Sequence, residues 1–203
     1  MKNPNLANQL LSMLRVDLEF RQKLLERGEL YNHAYHPEME KIHLHNATIM
    51  QKILKENGWP TRDLVGDEAA RAAWVILQHS ISSPQLMKKG LTLLKQAAQK
   101  GEAGMADIAR LEDRINYYEG REQIYGTNFD NDGNGDISPT PIADPEHVDE
   151  RRAEAGLPPL KDDIKRLREV YRREMQGKKP TSPPADWRGE FLAWTYRVGW
   201  RKK

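Results

Sequence analysis

The chain has 203 residues, 31% of them charged, with a net charge of +2 and no cysteine. That length buries one substantial core, or one core with an appendage. The lack of cysteine excludes disulfides, thiol nucleophiles and cysteine-ligated zinc or iron–sulfur centres, and no apolar run approaches the roughly 20 residues that span a bilayer. The N-terminal stretch "MKNPNLANQLLSMLRVDLEF" has no uninterrupted apolar region, so it reads as a first helix and not as a signal peptide. A soluble, cytoplasmic, globular protein is the expectation.

Leu6, Leu10, Leu11, Leu14, Leu18 and Leu25 recur near the helical period, which predicts an amphipathic helix over 5–27. Pro37 suits the first turn of a second helix that runs to Asn57, where Gly58 stops it. "GWPTRDLVG" reads as a loop, with Asp67 capping an alanine-rich third helix, "EAARAAWVILQHSI". Ser83-Pro84 opens a fourth helix, and Gly104 separates it from a fifth, "MADIARLEDRINYY". The β signal is confined to a hairpin near 123–142. Helices resume near Glu146 and near Lys161, the latter with an apolar stripe of Ile164, Leu167, Tyr171 and Met175. Residues 177–185 are a linker by composition, and 186–203 form an aromatic and basic terminal helix with Trp187, Phe191, Trp194 and Val198 on one stripe. The expected fold is mostly α: a packed helical bundle over 1–176 with one small β-hairpin, then a C-terminal helical extension.

The hairpin tip, Asp130-Asn131-Asp132-Gly133-Asn134-Gly135-Asp136, also matches the start of a calcium loop, with Asp130, Asp132 and Asn134 at ligand positions. Pro141 stands where the closing bidentate carboxylate belongs, and Pro139 blocks an exiting helix. Asn134-Gly135 is the pair a tight hairpin turn requires. The hairpin is therefore the leading reading, and calcium held by Asp130, Asp132, Asn134 and Asp136 is its alternative. No other cofactor is expected.

Several polar residues fall on faces that should be apolar. Asn46 sits amid Ile42, Ile49 and Ile53, with His43 and Met50 on the same line. The third helix is apolar almost all round and yet ends in Gln78-His79. In the fifth helix Asp113 and Arg114 lie between Leu111 and Ile115. Burying an unpaired polar group costs about 1–3 kcal/mol, so these residues must satisfy one another or a ligand. Two readings follow: a hydrogen-bond network that fixes helix register, with His79 bonded to Asp113, or a functional pocket. Metal ligation is not expected. Glu40-x-x-His43 has the spacing of half a di-iron carboxylate site but lacks its second half, and His43 and His45 lie on different helical faces.

In chain order, "NGWP" (57–60), Gly66, the alanines before Trp74, "LQH" (77–79), "LEDRI" (111–115), "GREQIYGT" (120–127), "PIADPEHVDERR" (141–152) and "AGLPPL" (155–160) form a recognisable series. Over residues 45–160 the chain resembles a mostly bacterial family, domain of unknown function 6624, whose members carry GWP, QH, L-x-DR and YGTQ motifs. The resemblance brings no activity. It implies that Gln78, His79, Asp113, Arg114, Gln123, Tyr125, Gly126, Thr127, Arg151 and Arg152 occupy recurrent motif positions, while Asn128 stands where the family has Gln.

The functional expectation is a pocket for a small polar or anionic ligand between the third helix, the fifth helix and the hairpin, possible acid/base chemistry included. His79 is the candidate general acid/base and Asp113 its orienting partner; Asn46, Gln78, Arg114, Gln123, Tyr125, Thr127, Arg151 and Arg152 are the candidate ligand contacts. The alternative is a non-catalytic interaction module. Residues 151–203 hold 15 Lys and Arg against 7 Asp and Glu. This basic third could hold nucleic acid or an acidic protein, or fold against acidic residues of its own chain.

Overall fold

The structure is a computed structural model that describes residues 1–30, 35–131, 136–176 and 187–202. Among the described residues the chain is mostly α, with nine α-helices and one two-stranded antiparallel hairpin. It divides into two compact units, Met1–Gly104 with Pro183–Lys202, and Met105–Ser182. No helix among the described residues is long and apolar enough to cross a membrane.

The first unit opens with α1, Pro4–Arg27. The Asn3 side chain accepts the Leu6 N–H at 3.1 Å, and Gly28 ends the helix in the left-handed region at φ 71. Helix α2 is Pro37–Asn57, at the limits that Pro37 and Gly58 predict. The expected loop before the third predicted helix contains a further single turn, α3, Arg62–Val65, because Thr61 accepts the Leu64 N–H. Helix α4 follows as Asp67–His79; Asp67 is its first residue and not its cap, a place taken by Gly66 at φ 82. Helix α5 is Pro84–Ala98.

Helix α4 is the pivot of this unit, in contact with α1, α2, α3 and α5. Its alanines make that possible: Ala72 and Ala73 are fully enclosed, and small side chains let four neighbours approach one rod. Leu77 of α4 packs on α5 at Gly90, where an added Cβ would lie 2.4 Å from Leu77 Cδ2 and 2.6 Å from Cδ1. Leu77 is 0% exposed and has nowhere to go. Gly90→Ala is therefore expected to destabilise the protein by about 1–2 kcal/mol, overpacking outweighing the better helix propensity of alanine. Urea unfolding checks this; a gain in stability would show that the two helices can part.

The terminal helix α9, Trp187–Val198, belongs to the first unit. Trp194 and Thr195 are its buried residues, and beyond its end Trp200 is also buried. Of the expected stripe, Trp194 is buried and Trp187, Phe191 and Val198 are half-buried, whereas Arg188, Glu190, Leu192 and Arg197 are exposed. Trp194 Nε1 donates to Glu40 Oε1 at 2.9 Å, Arg197 meets Glu40 at 3.2 Å, and Trp200 Nε1 donates to the Ile81 carbonyl at 2.6 Å. Glu40 also accepts from Ser82 at 2.6 Å.

The second unit begins with α6, Met105–Glu119, and continues through β1, Phe129–Asn131, and β2, Ile137–Pro139. The strands pair Phe129 with Pro139 and Asp130 with Ser138. Residues 132–135 between them, Asp132 and Asn134 included, lie outside the described residues. One 3-10 turn leads into α7, Val148–Glu154, and α8 is Leu160–Met175. The stripe of α8 is half-buried; its one fully buried residue is Asp163. The expected linker, 177–185, lies outside the described residues.

Candidate functional site

The two polar groups expected to form one pair, His79 and Asp113, belong to separate units, and each has its own partners. Asp113, 0% exposed on α6, faces the loop after its own helix. Its Oδ1 accepts the N–H groups of Ile124 at 2.7 Å and Tyr125 at 3.1 Å, and its Oδ2 accepts the Thr127 N–H at 2.9 Å and the Thr127 hydroxyl at 3.0 Å. Burial pushes the Asp113 carboxyl above its ordinary range, against the pull of these donors. The carboxylate serves as a template for the Tyr125-Gly126-Thr127 turn.

The other motif residues of this unit complete the same framework. Gln123 is fully buried: its Nε2 donates to the Asn128 and Thr140 carbonyls, and its Oε1 accepts the Asn128 N–H at 2.6 Å. Asn128 donates its side-chain amide to the same Oε1 at 3.3 Å. Gly126 has φ 67, and a Cβ there would meet Ile142 Cδ1 at 2.5 Å, so only glycine fits the turn. Arg151 donates to the carbonyls of Ile124, Ala143 and Asp144. Arg152, 0% exposed, donates to the carbonyls of Pro158 at 2.7 Å and Tyr125 at 2.6 Å, and to Asp163 Oδ2 at 2.7 Å. Tyr125 packs beside Ala109, Ala155 and Leu157, and Arg114 is half-buried near Tyr118.

Of the calcium candidates in the described residues, Asp130 accepts from the Tyr117 hydroxyl at 3.2 Å. Asp136 pairs with Arg172 at 2.5 Å, and Arg168 lies 3.8 Å away. These pairs, with Arg166 on Asp163 and Arg197 on Glu40, commit much of the basic C-terminal third to carboxylates of its own chain.

In the first unit a different centre forms, around a residue that sequence reasoning missed. Asp17 of α1 is 0% exposed. Its Oδ2 lies 2.9 Å from Nδ1 of His79, at the end of α4, and 3.2 Å from Nε2 of His43, on α2. The two imidazoles lie 4.9 Å apart, centroid to centroid. Against burial, which alone would raise it, the imidazoles hold the Asp17 carboxyl well below its ordinary range. On the far side of His43, Nδ1 is 2.5 Å from the Tyr35 hydroxyl, and the Tyr35 ring meets Trp194 edge-on at 5.4 Å.

This centre is under-satisfied. Among the described residues, Asp17 Oδ1 has no hydrogen-bond partner, and neither does Nδ2 of Asn46, one turn along α2 from His43. His43 Nε2, although 3.2 Å from Asp17, lies off the hydrogen-bonding direction. Asn46 is 4% exposed and Gln78, the residue before His79, 5%. The side chain of His79 is 26% exposed, which makes it the rim of the cluster.

A signal for Asp17 does exist in the sequence. Leu10, Asp17 and Leu24 are spaced by seven, so the carboxylate occupies a core position of α1. The inward face is Leu6, Leu10, Met13, Asp17 and Leu24, whereas Leu18, counted as apolar face, is 46% exposed.

Comparison with curated proteins and with solved structures returns no match. A family match spans residues 4–176, which takes in α1 with Asp17, α2 with His43 and Asn46, α4 with His79 and the whole described framework of the second unit. On that span the chain belongs to the family of unknown function DUF6624.

Proposed function

We propose that this protein binds a small polar ligand in its first unit, at the cluster of Asp17, His43, Asn46 and His79. One contrast carries the reading. The buried polar groups of the second unit, Asp113, Gln123 and Arg152, each meet protein partners. In the first unit Asp17 Oδ1, His43 Nε2 and Asn46 Nδ2 are buried without a hydrogen-bond partner among the described residues. Each such atom costs about 1–3 kcal/mol, a cost that a ligand making those bonds removes.

The anionic half of the sequence expectation draws no support from Arg151 and Arg152, which are engaged with carbonyls and Asp163. An acid/base step at the cluster would use His79, the imidazole that a ligand can reach, with Asp17 in the orienting role expected of Asp113.

Thermal unfolding of the full chain against a panel of phosphate, dicarboxylates, polyols, nucleotides and divalent cations tests the reading. At least one member is expected to raise the melting temperature of the wild type and to lose that effect in His79→Asn and Asn46→Ala. His79→Asn keeps a donor for Asp17 and should cost less than about 1 kcal/mol of stability. A shift that survives both substitutions unchanged, or a panel without effect, would overturn the assignment.

A further inference from the structure

We propose that Asp17, His43 and His79 bind a divalent transition-metal ion of the zinc class. The inference rests on the cluster being a ligand site and gives its ligand a chemical identity; the proton-handling role of His79 then belongs to the ion-free protein.

One ligand atom from each of the three residues can be chosen so that all lie within 4.8 Å of one another. Two spacings, 2.9 Å and 3.2 Å to Asp17 Oδ2, are within about half an ångström of those a shared ion requires, so a small outward shift admits one. Bonds of about 2.0–2.1 Å in a tetrahedron put ligand atoms about 3.4 Å apart. Charge favours a cation as well. Asp17 is fully enclosed, and among the described residues its only partners are the two imidazoles. With no Lys or Arg among these partners, the desolvation of the carboxylate is offset by the two imidazoles alone, a role that a bound cation would share.

The supporting contacts have the pattern of a ligand shell. The Tyr35 hydroxyl engages His43 Nδ1, so this hydrogen bond fixes the ring with Nε2 towards Asp17. An imidazole whose second nitrogen is tied down in this way is the usual state of a metal-bound histidine. Three helices of one unit, α1, α2 and α4, supply the three groups, which holds them on rigid elements. Two nitrogens and one oxygen suit Zn²⁺, Fe²⁺ or Co²⁺ over Mg²⁺ or Ca²⁺, which prefer all-oxygen shells. Three protein ligands also leave a coordination position open, where water or the polar ligand binds. Asn46 Nδ2, buried one turn from His43 and without a partner among the described residues, is the donor proposed to meet it.

Chelator-stripped full-length protein titrated with Zn²⁺ and Co²⁺, by calorimetry and by visible absorption of the cobalt form, tests the site. On the order of one ion per chain is expected at micromolar affinity or tighter, with cobalt bands of a low-symmetry nitrogen and oxygen shell. His79→Ala should weaken binding at least about 100-fold and Tyr35→Phe about 10–100-fold. His45→Ala, an exposed histidine on the same helix, should change nothing. Equal affinity in the wild type, His79→Ala and Tyr35→Phe would overturn the proposal. So would the absence of zinc and cobalt binding: if a small molecule from the panel still shows a His79-dependent melting shift, the ion is wrong and the ligand site stands. If both fail, both readings fall.

Discussion

Arg152→Met is expected to lower the stability of the second unit by about 3–5 kcal/mol, the usual cost of removing one partner from a buried ion pair. The guanidinium is 0% exposed and spends its three nitrogens on the Pro158 carbonyl, the Tyr125 carbonyl and Asp163. Methionine fills part of the space and satisfies none of them. The variant also alters the response to acid. Burial would raise the Asp163 carboxyl, but Arg166 and Arg152 outweigh it and hold it below its ordinary 3.8. A carboxyl depressed in the folded state contributes stability above the unfolded value, and that contribution is lost as pH falls from there through the folded value. Arg152→Met removes one of the two cations, so the stability lost between neutral pH and pH values below 3.8 should shrink. Guanidinium unfolding at several pH values measures both effects. A variant that unfolds at the wild-type midpoint, with an unchanged acid limb, would show that Arg152 is not the buried tie described.

Asp113→Asn should cost about 2–4 kcal/mol, although the two side chains are nearly isosteric. Both carboxylate oxygens receive donors from the loop: Ile124 and Tyr125 on one, Thr127 N–H and hydroxyl on the other. An amide keeps one acceptor and turns an NH₂ towards donors, which leaves at least one backbone N–H buried without a partner. The predicted signature is local as well as global: amide hydrogens of Ile124, Tyr125 and Thr127 should exchange faster in the variant. A loss below about 1 kcal/mol with unchanged exchange would mean that the turn holds its shape without the carboxylate.

These two substitutions bear on how a site and a scaffold are told apart in sequence. The helix limits were legible because punctuation marks them: Pro4, Pro37 and Pro84 start helices, and Gly28 and Gly58 end them. Helix α3 was not, since one turn has no period to read and depends on a single Thr61 cap. Polar residues on apolar faces correctly marked Asn46, Gln78, His79 and Asp113 as buried or partly buried. What a face cannot reveal is which partner a polar group meets, because that depends on tertiary placement. His79 was matched with Asp113, an acid on another predicted helix, whereas its partner is Asp17, hidden in the leucine-rich first helix. The error has a physical source. Leucines recur so densely along α1 that its stripe can be drawn through Leu14 and Leu18 or through Leu10, Asp17 and Leu24, and only burial decides.

The segments that carried the resemblance are ambiguous for a related reason. Asp113, Tyr125-Gly126-Thr127 and the paired arginines build a tight turn, and a template for such a turn is as demanding as a ligand contact, so the sequence alone does not separate the two. Gly126, with Ile142 2.5 Å from where its Cβ would be, shows how little room that turn allows. The terminal helix was legible in its stripe, with Trp194 buried and Trp187, Phe191 and Val198 half-buried. Trp200, past the end of α9, has no place on that stripe, and its bond to the Ile81 carbonyl depends on tertiary placement.

Imidazole nitrogen NMR of the full chain, recorded while zinc and the small-molecule panel are titrated in, tests the placement of the ligand site at Asp17, His43 and His79 most directly. The ring nitrogens of His43 and His79 are predicted to move together and to saturate together, while those of exposed His45 stay in place. Movement of His45 alone, with His43 and His79 unchanged through every titration, would contradict it.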